Sequence, residues 1–153
     1  MSGGSAVAVA VTFVWLGMVL AISFLEAPLK FRAPNVTRQI GLGIGRLVFR
    51  ALNRIEVAFA IVLATVVLAN PPPAGVIAAF LTAFAMLGTQ LIAVRPFLNR
   101  RSDRVLAGLN APRSRGHYAY VGLEAVKVIA LVVAGVLLLS GHPLTLIFQP
   151  GVG

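Results

Sequence analysis

Glu26, Glu56 and Glu124 are carboxylates set at the edges of long apolar runs, and Gln90, His117, Tyr120 and Lys127 are polar groups in similar settings. Such a carboxylate can hold a cation, relay a proton or pair with a neighbouring cation, so an ionisable residue inside a membrane span is a functional-site candidate by default. In the last apolar run His117, Tyr120, Glu124 and Lys127 are spaced by three, four and three. At about 100° per residue they fall within an arc of roughly 80° and form one polar seam.

The elements that carry these residues are apolar helices. The chain of 153 residues is 59% hydrophobic and 11% charged, against about a quarter charged in a soluble domain, so its surface as well as its core must be greasy. Residues 1 to 25, 57 to 94 and 128 to 153 contain no Asp, Glu, Lys or Arg. A spanning helix needs about 20 apolar residues, and "NPPPAG" (Asn70 to Gly75) cuts the middle stretch, because successive prolines remove amide donors. The sequence predicts an all-α, four-helix membrane bundle in one domain, residues 1–153, with spans at about 7–27, 50–69, 75–95 and 119–140. The first run lacks a basic residue ahead of it and exceeds a signal h-region, so it is expected to stay in the mature protein.

All thirteen cations lie in or beside two connections: Lys30, Arg32, Arg38, Arg46, Arg50 and Arg54 around the first, and Arg95, Arg100, Arg101, Arg104, Arg113, Arg115 and Lys127 around the second. Basic loops stay cytoplasmic, so both termini and the Pro-rich hairpin are expected outside a multi-pass protein of the bacterial cytoplasmic (inner) membrane. A formal charge of +9 could suggest nucleic acid, but cations beside headgroups explain it better. Arg38, Arg46, Arg50, Arg54, Arg95, Arg100 and Arg101 are the expected anionic-lipid contacts, and Arg46, Arg50 and Arg54 share a helix face. The triple "GLGIG" glycines 41, 43 and 45 lack the strand and spacing of a dinucleotide fingerprint; they suit a flexible or closely packed entry to the second span.

Alternating chain direction places Glu26, Glu56, Gln90 with Arg95, and His117 with Glu124 at one depth near the cytoplasmic surface. Two readings are open. In one, Glu26, Glu56, Gln90, His117, Tyr120, Glu124 and Lys127 form an ion or proton cluster of a small transporter, channel component or ion-binding protein, with Glu26, Glu56, Glu124 and His117 able to supply a single divalent metal site. In the other, the charges pair internally, Glu124 with Lys127, Glu56 with Arg54 or a cation of another helix, and Glu26 with Lys30 or Arg95. The protein is then a non-catalytic accessory or lipid-organising subunit, as a homo-oligomer or within a larger membrane complex. No Glu-x-x-His pair supports a di-iron bundle, no Gly-x-Ser-x-Gly elbow or cysteine supplies a nucleophile, and no cofactor is expected. Trp15 and Phe13 read as packing groups or interface anchors. His142 is expected to end the fourth helix, and the tail "LTLIFQPGVG" to lie in the interface or on a partner.

"WLGMVLAISFLEAPLKFRAP" with "IGRLVFRALNRIEV", "TQLIAVRPFLNRR" and "GHYAYVGLEAVKV" resembles the small four-helix membrane proteins grouped as DUF4149, which include the transmembrane-protein-205-like proteins. Trp15, Gly17, Phe24, Ala27, Pro28, Phe31, Gln90, Pro96 and His117 carry the resemblance, over most of residues 13 to 130. It implies a four-helix membrane architecture without a defined biochemical activity. Glu124 and Glu26 depart from the pattern.

Overall fold

In a computed structural model the protein is a bundle of four long helices: α1 (Gly3–Arg32), α2 (Arg38–Ala69), α3 (Ala74–Leu106) and α4 (Arg115–Ser140). The structure describes residues 2–110 and 115–141; Arg113, His142 and the apolar tail lie outside the described residues. All four helices are long and apolar enough to cross a membrane, which makes this an integral multi-pass membrane protein. There is no strand among the described residues.

The helix ends follow from local chemistry. Ser2 Oγ accepts from the Ser5 amide at 3.1 Å and Thr37 Oγ1 from the Ile40 amide at 3.3 Å, each meeting an amide that the first turn leaves unpaired. Three prolines, 71 to 73, separate α2 from α3. At the end of α3, Gly108 takes a φ of +81° while the Gly108 and Leu109 amides donate back to Val105 and Arg104 at 3.1 and 3.0 Å. That is the paired closure a glycine makes cheaply.

The helices run further than the apolar stretches predict. The second helix starts at Arg38 rather than 50, so "QIGLGIG" is helical, and the third continues through Pro96 to Leu106. The expected basic loops are therefore largely helix, with short connections at residues 33–37 and after Leu106. The reason is that hydropathy marks where lipid begins, whereas the Thr37 cap and the final glycine mark where hydrogen bonding begins and ends. The closely packed option holds at Gly41 and Gly45, while Gly43 has nothing within 4 Å among the described residues. A Cβ at Gly41 would overlap the Phe31 ring, and one at Gly45 would come 2.7 Å from Lys30 Nζ.

Two π-helical segments, Leu20–Glu26 and Gln90–Val94, each lie just ahead of a proline, Pro28 or Pro96. In each the helix is widened by one residue: the Ala27 amide donates to Ile22 O and the Arg95 amide to Gln90 O. The wider turn takes up the proline, which would otherwise press on the preceding turn. The same sequence interval separates Pro28 from Pro96 and Glu56 from Glu124. The bundle thus repeats one helix pair, a π-widened helix carrying a proline just beyond the wide turn, followed by a helix with a buried glutamate.

In the core, α1 packs against α2 and α4, α4 packs most extensively on α3, and α2 meets α3 at its two ends but parts from it around Leu91 and Arg95. Trp15, Leu63, Phe80, Ala83, Leu131 and Ala134 are fully buried, and Trp15 and Phe84 stack at 6.2 Å. The outside is equally apolar: Leu68 is 82% and Ile92 81% exposed, a surface suited to lipid rather than water. Helix α4 approaches α1 closely at Gly135, where an added Cβ would stand 2.8 Å from the Phe13 ring. Gly135→Leu should cost about 1–3 kcal/mol by overpacking, whereas Gly122→Ala, with nothing within 4 Å, should change stability by less than about 0.5 kcal/mol. Unfolding in detergent measures both.

Candidate functional site

Each helix presents polar groups to one point about halfway along the bundle. They are Trp15 and Ser23 from α1, Asn53 and Glu56 from α2, Gln90 and Arg95 from α3, and Glu124 and Lys127 from α4. On α4 the inward stripe Tyr120, Glu124, Lys127, Leu131, Ala134 and Leu138 alternates steps of four and three, so the polar seam becomes an apolar one without leaving its face. On α3 the stripe Val76, Phe80, Ala83, Leu87 and Gln90 does the same.

Lys127 is the centre. Its Nζ donates to Glu56 Oε1, donates to Gln90 Oε1 at 2.8 Å and lies 3.0 Å from Glu124 Oε2. An ammonium has three N–H donors, and here they serve three helices. Glu56 Oε1 also accepts from Trp15 Nε1 at 2.9 Å, which brings in the fourth. Glu124 accepts from Ser23 Oγ at 2.7 Å on Oε1 and from Gln90 Nε2 on Oε2.

The Asn53 amide is oriented by its neighbours: its nitrogen donates to Glu56 Oε2 at 3.0 Å and its oxygen accepts from Arg95 Nη1 and Nε at 3.0 and 3.1 Å. Two carboxylates are therefore matched by two cations, Lys127 directly and Arg95 through Asn53. Glu56, Gln90, Glu124, Lys127 and Asn53 are all at most 1% exposed. Burial of this kind is tolerable only because every carboxylate oxygen has a donor.

Of the expected cluster, Glu56, Gln90, Glu124 and Lys127 come together, and Tyr120 flanks them. The Tyr120 carbonyl lies 3.5 Å from Gln90 Nε2, its ring meets Phe49 edge-on at 5.6 Å, and its hydroxyl, like Arg46 Nε, is buried without a hydrogen-bond partner among the described residues. Glu26 instead pairs with Lys30 at 3.4 Å, one turn along α1. His117 is exposed and packs its ring against Tyr118. The structure does not bring Glu26, Glu56, Glu124 and His117 together: among the described residues no three His, Cys, Asp or Glu side chains gather as metal ligands. The physical reason is that a lysine stands between the two glutamates that do converge. The cluster lies about halfway along the helices, which extend beyond the apolar runs at the basic end.

Three participants escaped the sequence reading as site residues. Asn53 precedes Glu56 by one helical turn, a spacing that could have marked it, and Ser23 and Trp15 carry no comparable signal. Arg95, expected both at lipid and beside Gln90 in the polar layer, belongs to the network. Of the other expected lipid contacts, Arg46 pairs with Asp103, Arg101 is half-buried, and Arg38, Arg50, Arg54 and Arg100 are exposed.

No protein-family model, curated protein or solved structure matches the chain.

Removing a single network donor should leave a buried carboxylate oxygen short of a partner. Trp15→Phe and Asn53→Leu should each cost about 1–3 kcal/mol in detergent unfolding, whereas Arg32→Gln, on an exposed residue, should cost less than about 0.5 kcal/mol.

Proposed function

We propose that this is a non-catalytic membrane protein that organises anionic lipid at its basic end, and that the buried network locks the four helices together rather than passing a cation. What carries this reading is the position of Lys127: its ammonium stands between Glu56, Glu124 and Gln90, where a bound or transported cation would have to sit. Two tethered cations, Lys127 directly and Arg95 through Asn53, balance the two carboxylates. Exposed arginines such as Arg50, Arg54 and Arg100 then face the surroundings, and they lie toward one end of the bundle. Under the rule that retains basic segments on the cytoplasmic side, that end faces the cytoplasm of a bacterial inner membrane, with both termini and the Pro-rich hairpin outside. Membership of the DUF4149-type four-helix proteins is part of the same proposal, as is assembly into a homo-oligomer or a larger membrane complex.

The competing reading, a cation or proton carrier, draws on the convergence of two carboxylates at one depth. The two readings separate on ligand response. A ligand that binds the folded state raises stability by mass action. Thermal unfolding of the purified protein with Na⁺, K⁺, Mg²⁺ or Zn²⁺ at constant ionic strength should show no selective stabilisation, and proteoliposomes should show no cation flux above protein-free vesicles. Stabilisation by one cation that disappears in Glu124→Gln would replace the lipid reading with the carrier one.

A further inference from the structure

Where α2 and α3 part, they leave a groove of about 250 Å³ lined by Arg50, Asn53, Arg54, Val57, Leu91 and Arg95. That is below the roughly 300–1,000 Å³ of a pocket for a drug-sized ligand, so it suits a headgroup-sized one. Arg50 and Arg54 are four residues apart on one face of α2, and Arg95 faces them from α3. Among the described residues neither Arg50 nor Arg54 has a carboxylate partner. Within the described residues their charge is not spent on a carboxylate.

Arg95 differs from a surface arginine in being held. The buried Asn53 amide takes two of its N–H groups, at 3.0 and 3.1 Å, and is itself fixed by Glu56. A guanidinium has five N–H donors, so three remain for another acceptor, on a group whose orientation the core has already set. Planar guanidinium forks match phosphate oxygens in pairs. Below the groove, toward the helix ends, the Arg46–Asp103 ion pair and a Gln39-to-Val105 carbonyl hydrogen bond at 3.4 Å tie α2 to α3, so the opening is held apart by contacts on both sides. Val57 and Leu91 supply an apolar wall.

From this geometry we infer that the groove between α2 and α3 is a binding site for a phosphate ester, gripped by Arg50, Arg54 and Arg95 with Asn53 orienting the last. The inference deepens the lipid-organising reading by naming its site, but the same chemistry would accept either a phospholipid headgroup or a free phosphate.

The full-length protein, reconstituted in nanodiscs, distinguishes these. Retained lipid is counted by native mass spectrometry in mixed phosphatidylglycerol and phosphatidylcholine discs, and thermal stability is measured in phosphatidylcholine discs with and without inorganic phosphate or glycerol phosphate. The variants are Arg50→Gln/Arg54→Gln and, as a control of equal charge change outside the groove, Arg32→Gln/Arg104→Gln. All four side chains are exposed, so both variants should fold. Enrichment of phosphatidylglycerol that falls by about tenfold or more in the first variant and persists in the control supports a headgroup site. Stabilisation by the soluble phosphates, lost in the first variant alone, supports the phosphate site but removes the lipid reading. Equal losses in both variants, or no response to either source, overturns the proposal.

Discussion

The bundle depends on one ammonium group. Lys127 is fully buried, and its donors reach α2, α3 and its own α4, while α1 joins through the Trp15 bond to the same Glu56 oxygen. A single charged residue at the centre of a spanning helix costs roughly 2.5–3.5 kcal/mol on insertion scales, and several would make a helix reluctant to stay in lipid. Here the cost is shared by groups that satisfy one another. In lipid, where apolar helices gain little from burying themselves against each other, such a network supplies register. Sliding any one helix by a turn would strand a carboxylate or the lysine, so the charges select one arrangement among many that the apolar stripes would permit.

The helix pair is used twice, and the lysine breaks its symmetry. The proline and π-segment of α1 recur in α3, and the glutamate of α2 recurs in α4. At the interval that relates Glu56 to Glu124, the counterpart of Lys127 is Phe59, which packs 6.4 Å from Trp15. Two glutamates at equivalent positions therefore approach one cation, and Phe59 stands at the sequence position equivalent to that of Lys127. The π-segments matter to this arrangement: Gln90 opens the second one and is a network member, and Ser23 lies within the first. An inserted residue in each helix turns the side chains that follow it relative to a regular α-helix, so that both a polar group and the proline beyond it are accommodated.

Much of this was legible in the sequence, for reasons that differ by residue. Charge-free runs and the "NPPPAG" break fixed the number of helices, because lipid tolerates little else. The spacing of Tyr120, Glu124 and Lys127 revealed their common face, and the internal-pair reading anticipated Glu124 with Lys127 and Glu26 with Lys30. What the sequence could not convey was which pairings win between helices. Glu56 had cations nearer in sequence, such as Arg54, yet Arg54 is exposed while Lys127 points inward. His117 fits the same arc as Lys127 but sits at the exposed start of α4, above the level where the helices close. Trp15 looked like a packing residue and is one, but its indole N–H also serves the network, which only the placement of α2 against α1 decides. Helix ends were misjudged where hydropathy and hydrogen bonding give different boundaries.

The measurement that tests the central claim most directly is a double-mutant cycle on unfolding in detergent or bicelles, with Lys127→Met, Glu124→Gln and the pair together. Lys127→Met alone leaves two buried carboxylates facing only Arg95 and should cost about 3–5 kcal/mol, as breaking a buried ion pair does. The double variant keeps Glu56 balanced by Arg95 through Asn53 and should recover most of that loss, giving a coupling of about 2 kcal/mol or more. Losses that simply add, with the double variant the least stable of the three, would mean that Lys127 and Glu124 do not form a neutralising pair and that the network is not what holds the bundle in register.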